Sequence, residues 1–139
     1  MQYAALPLRF RESGELELLL ITSRETRRWI IPKGWPIPGK SGPQIAAIEA
    51  YEEAGIVGYP VPRPIGSYRY DKQIGRVKQG STAIPCEVTV FPMRSFAQLE
   101  DWPERSERRV RWFTLAQGAE HVDETELAEL ILSVPKLVG

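Results

Sequence analysis

The sequence predicts an α/β domain in which helices cover a mixed sheet. Three observations carry that reading. Strand-like and helix-like stretches follow one another in the order strand, strand, loop, helix, hairpin, strand, helix. Residues 16–22, LELLLIT, form a nearly continuous aliphatic run of strand length. Residues 44–54 contain no breaker and are framed by Pro43, suited to a first helical position, and Gly55, suited to the left-handed residue after a helix end. With 139 residues, 42% of them hydrophobic, the chain can bury one core. It shows no internal repeat or boundary, so a single domain over residues 1–139 is expected.

In chain order, residues 2–10 read as a first strand, with Pro7 implying an edge position or a bulge. A turn at residues 12–14 leads to the aliphatic strand, and residues 23–28, SRETRR, form a polar loop. Residues 29–31 are a short strand ended by Pro32. Residues 33–42 hold three glycines and two prolines, which makes a conformationally fixed loop. In the helix that follows, Ala47, Ala50, Tyr51 and Ala54 are expected to face the sheet. Residues 57–64, with three prolines, read as an extended connection. Residues 67–71 form a strand with Tyr68 and Tyr70 on one face, and residues 73–80 a hairpin tip. Residues 81–94 are a long strand in which Ile84, Cys86, Val88 and Val90 point inward, which makes Cys86 a small core residue. An acidic loop over residues 95–104 precedes a strand at 107–113, with Val110 and Trp112 on one side. A helical turn at 115–121 and an amphipathic helix at 124–132, capped by Asp123, complete the chain.

Composition narrows the function classes. Eighteen basic and eighteen acidic residues give zero formal net charge, so the global basic field of a nucleic-acid binder is missing. The apolar runs are too short to span a bilayer and the N-terminus has no signal-peptide pattern, so no membrane partner is expected. One cysteine excludes an internal disulfide, and a cytoplasmic location follows as the expectation. Either a monomer or a homodimer is compatible with these features.

The chemistry concentrates in the helix at 44–54. Glu49, Glu52 and Glu53 stand three and four residues apart, so their carboxylates share one side of the helix. Two of them fall in the last turn, where the helix dipole disfavours negative charge, and they repel one another. A bound cation would offset that cost, and an all-oxygen donor set suits Mg²⁺ or Mn²⁺ over zinc.

These residues carry a resemblance. Residues 34–56 resemble the Nudix box, whose pattern is Gly, five residues, Glu, seven residues, then Arg-Glu-aliphatic-x-Glu-Glu-x-Gly-aliphatic. Gly34, Glu49, Glu52, Glu53, Gly55 and Ile56 match at the required spacing, and Ala50 stands in for the aliphatic residue. Lys40 departs where the pattern has Glu, and Ile48 where it has Arg. A second resemblance, in RRWIIPKG, EDWPE and RRVRWF, is to diphosphoinositol polyphosphate phosphohydrolases and dinucleoside polyphosphate hydrolases.

The resemblance implies the family's α/β/α sandwich, a catalytic loop-helix, and Mg²⁺-dependent hydrolysis of a phosphoanhydride in a small phosphorylated substrate. By analogy, Glu49, Glu52 and Glu53 are the catalytic and metal-holding residues, with a backbone carbonyl at Lys33 or Gly34 completing the set. A further acid is expected from Glu100, Asp101, Glu104 or Glu107. A hydrolase of ADP-ribose or a capped end, or a non-catalytic binding module, are the alternatives. For substrate phosphates the candidates are Arg27, Arg28, Lys33 and Arg76, in a basic rim with Arg24, Lys72 and Lys78. Trp29 or Trp35 could stack on a base. His121, the single histidine, is expected to cap or face solvent. Lys40, or else a basic residue among 24–28, is expected to orient the acids in place of the arginine missing at position 48.

Overall fold

A computed structural model describes residues 1–74 and 82–138. Its frame is the strand β1 (Gln2–Phe10), which runs parallel to the long strand β7 (Thr82–Gln98) with Gln2 opposite Val88 and Leu8 opposite Arg94. On the other edge of β1, the strand β2 (Leu16–Thr22) pairs antiparallel through Leu8–Phe10 only, then diverges. The segment after the polar loop fills that wedge. Its first part, β3 (Trp29–Ile30), pairs with the end of β2, and its second, β4 (Lys33–Gly34), pairs with the start of β1. The wedge thereby sets Lys33 and Gly34 at the open end of the sheet.

The rest of the sheet is built on two long edges. β5 (Ile56–Pro60) and β6 (Gly66–Ile74) both pair antiparallel with β7, β6 along its first half and β5 along its second. β8 (Val110–Thr114) pairs antiparallel with the free edge of β2. Helix α1 (Gly42–Ala54) covers one face; α2 (Leu115–His121) and α3 (Thr125–Val138) cover the other. Two apolar clusters mark the layers. Ala5, Leu19, Ile21 and Met93 pack with Ala46, Ala50 and Ala54 of α1. Leu6, Leu18, Leu20 and Val90 pack with Leu127, Ile131 and Val134 of α3. Successive residues of β2 thus feed opposite cores, which is why its run is aliphatic throughout. This is the α/β/α sandwich with a mixed sheet that the sequence predicts.

Several local readings are corrected. Pro7 lies in an interior strand. Ala5 sends its N–H to Pro32 O at 3.0 Å, so Pro7, two residues on, turns its ring nitrogen into the gap between β4 and β2, where no ladder donor is required. Tyr51 is exposed and Ala47 only half-buried; the close-packed stripe is Ala46, Ala50 and Ala54, at exact four-residue spacing. Residues 56–60 form a strand despite Pro60, which ends it at the sheet edge. The long strand runs on to Gln98, and Ile84 near its start is exposed. A 3₁₀ turn (Arg105–Glu107) precedes β8, which begins at Val110 and not at 107. α3 begins at Thr125 and extends beyond 132; Asp123 lies one residue too early to cap it and pairs with Arg28 instead. Most of the expected hairpin tip, with Arg76 and Lys78, lies outside the described residues.

Candidate active site

Helix α1 is held at both ends by local chemistry. Ser41 accepts from Gln44 N at 3.4 Å and donates its own N–H to the Gln44 side chain at 2.8 Å, a reciprocal cap. At the other end Gly55 has φ of 69°, the left-handed conformation that glycine adopts without strain. A side chain there would also collide with the Trp102 ring. Trp102 belongs to the loop after β7, which docks on this helix end: Leu99 N donates to Gly55 O at 2.8 Å and Glu104 N to Glu52 O at 3.0 Å. The docked loop brings its later residues over the acidic side of α1.

There a cleft of about 490 Å³ opens between α1, the wedge β3–β4, β6 and the loop, within the usual range for small-molecule sites. Glu49 and Glu53 line it beside Gly34, Lys33 and Trp35. Glu49 rests against Gly34 so closely that any Cβ at position 34 would overlap its carboxylate. Glu53 is buried and receives Lys33 N at 3.3 Å. Burial pushes the Glu53 carboxyl up to about 8, with Glu49 and Glu104 adding repulsion and Arg108 opposing. Burial likewise lifts Glu49 to about 7, reinforced by Glu52 and Glu104. Lys33 is pulled down to about 8 by desolvation, and its ammonium lies 5.0 Å from the Tyr70 ring centre. Opposed, buried, perturbed groups in a cleft are a functional-site signature.

The candidates separate as follows. Of the three acids of α1, Glu49 and Glu53 line the cleft, whereas the half-buried Glu52 is not part of its wall. Among the described residues no three acidic, imidazole or thiol side chains converge on one point. Of the four distal acids, Glu104 alone lines the cleft; Glu107 pairs with Arg24 at 3.3 Å. Arg28, Arg24, Lys33 and Lys72 line it too. Arg27 does not: it is exposed, in a left-handed turn conformation with φ of 57°. Trp35 is a cleft residue and 48% exposed, whereas Trp29 packs edge-on against Phe113 at 5.1 Å. His121 bonds Gln117 O at 2.6 Å and leans on Phe113, away from the cleft. Cys86 is buried in the core.

Lys40 is exposed in the loop before α1 and, among the described residues, pairs with none of the acids. The cation that does meet the acids is Arg108, which the sequence reading passed over. The signal was its parity. Arg108 is extended and two residues from Val110 and four from Trp112, so it points to the α1 side as they do.

The donor chemistry fits a hard divalent cation. Glu49, Glu53 and Glu104 offer carboxylate oxygens, the charge of Glu104 adds to the upward push on Glu49 and Glu53, and the last turn of α1 contains no basic residue. By type these oxygens, with those of Glu52 beside Glu49, suit Mg²⁺ or Mn²⁺; by position no three of them converge among the described residues, so a bound ion would have to draw them together.

No family model matches the chain, but individual proteins do. It is 30% identical over 107 residues to the Arabidopsis thaliana protein named Nudix hydrolase 12, mitochondrial, an overlap that takes in 77% of this chain and 52% of that protein. It is 31% identical over 109 residues to the mouse diphosphoinositol polyphosphate phosphohydrolase 3-alpha, covering 76% of this chain and 60% of the relative. The chain therefore spans between half and two thirds of the length of these relatives. Among solved structures, the C. elegans Ap4A hydrolase superposes with a TM-score of 0.70 at 19% identity, over 99% of this chain and 97% of that one. A sandwich fold of that kind, a box with its glutamates at family spacing and these relatives define the class: the chain belongs to the Nudix hydrolase family.

Proposed function

We propose that residues 1–139 work as one unit that hydrolyses a phosphoanhydride in a nucleoside-linked polyphosphate, of the dinucleoside polyphosphate kind, in a Mg²⁺-dependent reaction. The observation that carries this is the make-up of the cleft. Its lining includes the acids Glu49, Glu53 and Glu104 and the exposed Trp35, whose ring lies 5.8 Å from the Lys72 ammonium. A base can stack on Trp35 while Lys72 and Lys33 meet the phosphates. When bound, Mg²⁺ supplies charge neutralisation on the phosphate oxygens and a more acidic water. The chain's own part is to orient that substrate against the half-buried Glu49 and the buried Glu53.

A diphosphoinositol polyphosphate is the second reading, favoured by the mouse relative's name. The charge of the cleft argues against it. Among the described residues, five cations line it (Arg24, Arg28, Lys33, Lys72, Arg108); of the five lining carboxylates, Glu49, Glu53 and Glu104 are given to the metal and Glu25 and Asp71 remain. Arg24 and Arg28 are moreover already paired, with Glu107 and Glu104 and with Asp123 and Glu124. A substrate carrying many phosphates needs more unmatched positive charge than that.

No helix among the described residues is long and apolar enough to cross a membrane. The buried free thiol of Cys86 suits a reducing compartment, of which the cytoplasm is one.

The test is a Mg²⁺-dependent phosphate-release comparison of diadenosine tetraphosphate, ADP-ribose and a diphosphoinositol pentakisphosphate. We expect kcat/KM at least tenfold higher for the dinucleotide than for the inositol. The reverse ranking overturns the substrate assignment, and no release from any of them overturns catalysis.

A further inference from the structure

The geometry points to Arg108 as the positioning residue of the cleft acids Glu53 and Glu104, a role supplied from a distant loop and not from α1. This goes beyond the hydrolytic reading, and only its kinetic test rests on that reading.

Arg108 is a buried cation: its side chain is 7% exposed. Its Nε donates to Glu104 Oε1 at 3.0 Å, its Nη1 donates to Thr22 O at 3.2 Å, and its Nη2 lies 3.9 Å from Glu53 Oε1. One planar fork thus spans the end of β2, the docked loop and the last turn of α1. The backbone of the next residue is fixed to the end of β2 twice. Arg109 N donates to Thr22 Oγ1 at 2.9 Å, and Thr22 N donates to Arg109 O at 3.1 Å. On the loop's other flank, the Glu104 N to Glu52 O bond and the Trp102–Gly55 contact tie the segment to α1.

An arginine at position 48 could not make this contact from within the helix. Residue 48 lies about 100° around the helix from Glu49 on the side of Glu52, whereas Glu53 lies about 40° to the other side. An arginine there would serve Glu52 and leave Glu53 to itself. Arg108 serves Glu53 and Glu104, the acids that line the cleft. With no basic residue in the last turn of α1, Arg108 is the guanidinium that faces Glu53 among the described residues. Its looser 3.9 Å approach to Glu53 leaves that carboxylate oriented but still open to a further cation.

The test has two independent arms. In metal-free protein, thermal melts of wild type, Arg108→Gln, Glu53→Gln and the double variant form a cycle. If Arg108 acts through the carboxylate, its loss lowers Tm in wild type and by less than half as much in the Glu53→Gln background. Equal losses in both backgrounds mean that Arg108 merely packs and holds Thr22, which overturns the proposal. In steady-state kinetics on the substrate that the release comparison selects, Arg108→Gln should lower kcat at least 30-fold with KM changed less than threefold. Arg108→Lys, which keeps the charge and folds more readily, should recover at least a third of the lost kcat. A rise in KM at unchanged kcat would make Arg108 a substrate-binding residue and overturn the positioning role. If no substrate is turned over, the hydrolytic reading falls and the melting cycle still decides on Arg108.

Discussion

Two buried glutamates in this molecule are equally inaccessible and opposite in character. Glu17 and Glu53 are each 6% exposed. Glu17, on β2, is answered on both oxygens, by Arg9 at 2.9 Å and Arg11 at 3.3 Å. Its partners come from the neighbouring strand and the turn beside it, and Arg9 stacks on Trp112 at 4.1 Å from the ring centre. Glu53 has one backbone N–H at 3.3 Å and one guanidinium at 3.9 Å, faces two further acids, and has its carboxyl driven up to about 8. Burial alone therefore says nothing about role. A carboxylate whose charge is locally matched is part of the frame; one left short of positive charge in a cleft is available to a ligand.

The sharpest way to break that comparison is to neutralise each acid in turn. Glu53→Gln should lower turnover by at least 100-fold, about 2.7 kcal/mol of transition-state stabilisation, while the metal-free protein melts no lower than wild type because a repelling charge is gone. Glu17→Gln should do the reverse, leaving kcat within about threefold and costing about 1–2 kcal/mol of stability, since its arginines are half-exposed and can turn to water. Paired activity assays and melts read both. A Glu53→Gln variant with wild-type turnover would end the distinction.

The next largest effect concerns pH. The folded-state values of Glu53, about 8, and Glu49, about 7, lie above the unfolded carboxyl value near 4.5. Between those limits the native state binds more protons than the unfolded chain, so the stability this pair contributes is present at low pH and is lost as pH rises. Metal-free protein should accordingly melt higher at pH 5.5 than at pH 8, and Glu53→Gln should flatten part of that slope. A metal-free melting temperature that climbs from pH 5.5 to 8 in wild type would show the pair to be ionised and matched.

Which of these features the sequence could disclose follows from how local each one is. The cap of α1 was legible beyond what was read: Ser41-Gly-Pro-Gln44 is a capping-box spacing, and Ser41 as cap starts the helix at Gly42, one residue earlier than Pro43 alone implies. The box glutamates and Gly34 were legible through spacing, because a helix periodicity and a tight approach both leave marks in a short stretch. The choice of Glu104 among the four candidate acids, and the contact that Arg108 makes beyond its strand parity, were not, since both depend on a loop folding back onto a helix end some fifty residues away. Trp102 opposite Gly55, two residues that no spacing relates, makes that connection. Pro7 misled for a related reason: its unpaired nitrogen faces a gap between two strands, and a gap inside a sheet looks like an edge from one strand alone.

The smallest expected effect is also the one that most directly tests where the orienting cation lies. From the sequence, Lys40 has the right charge near the right helix, at the position where the family pattern carries an acid. In the fold, Lys40 is exposed, its N–H closes a turn on Ile37 O at 3.0 Å, and it precedes the N-terminal end of α1, whereas Glu53 sits in the last turn. Three helical turns at 1.5 Å per residue separate those ends by roughly 15 Å, well beyond a Debye length at physiological salt. An exposed lysine at that distance has almost no coupling to a buried carboxylate. Lys40→Ala should therefore leave kcat, KM and the Mg²⁺ dependence of turnover within about twofold of wild type. A Mg²⁺ titration of the variant that shifts by tenfold would return the orienting role to the loop and remove the main reason for assigning it to Arg108.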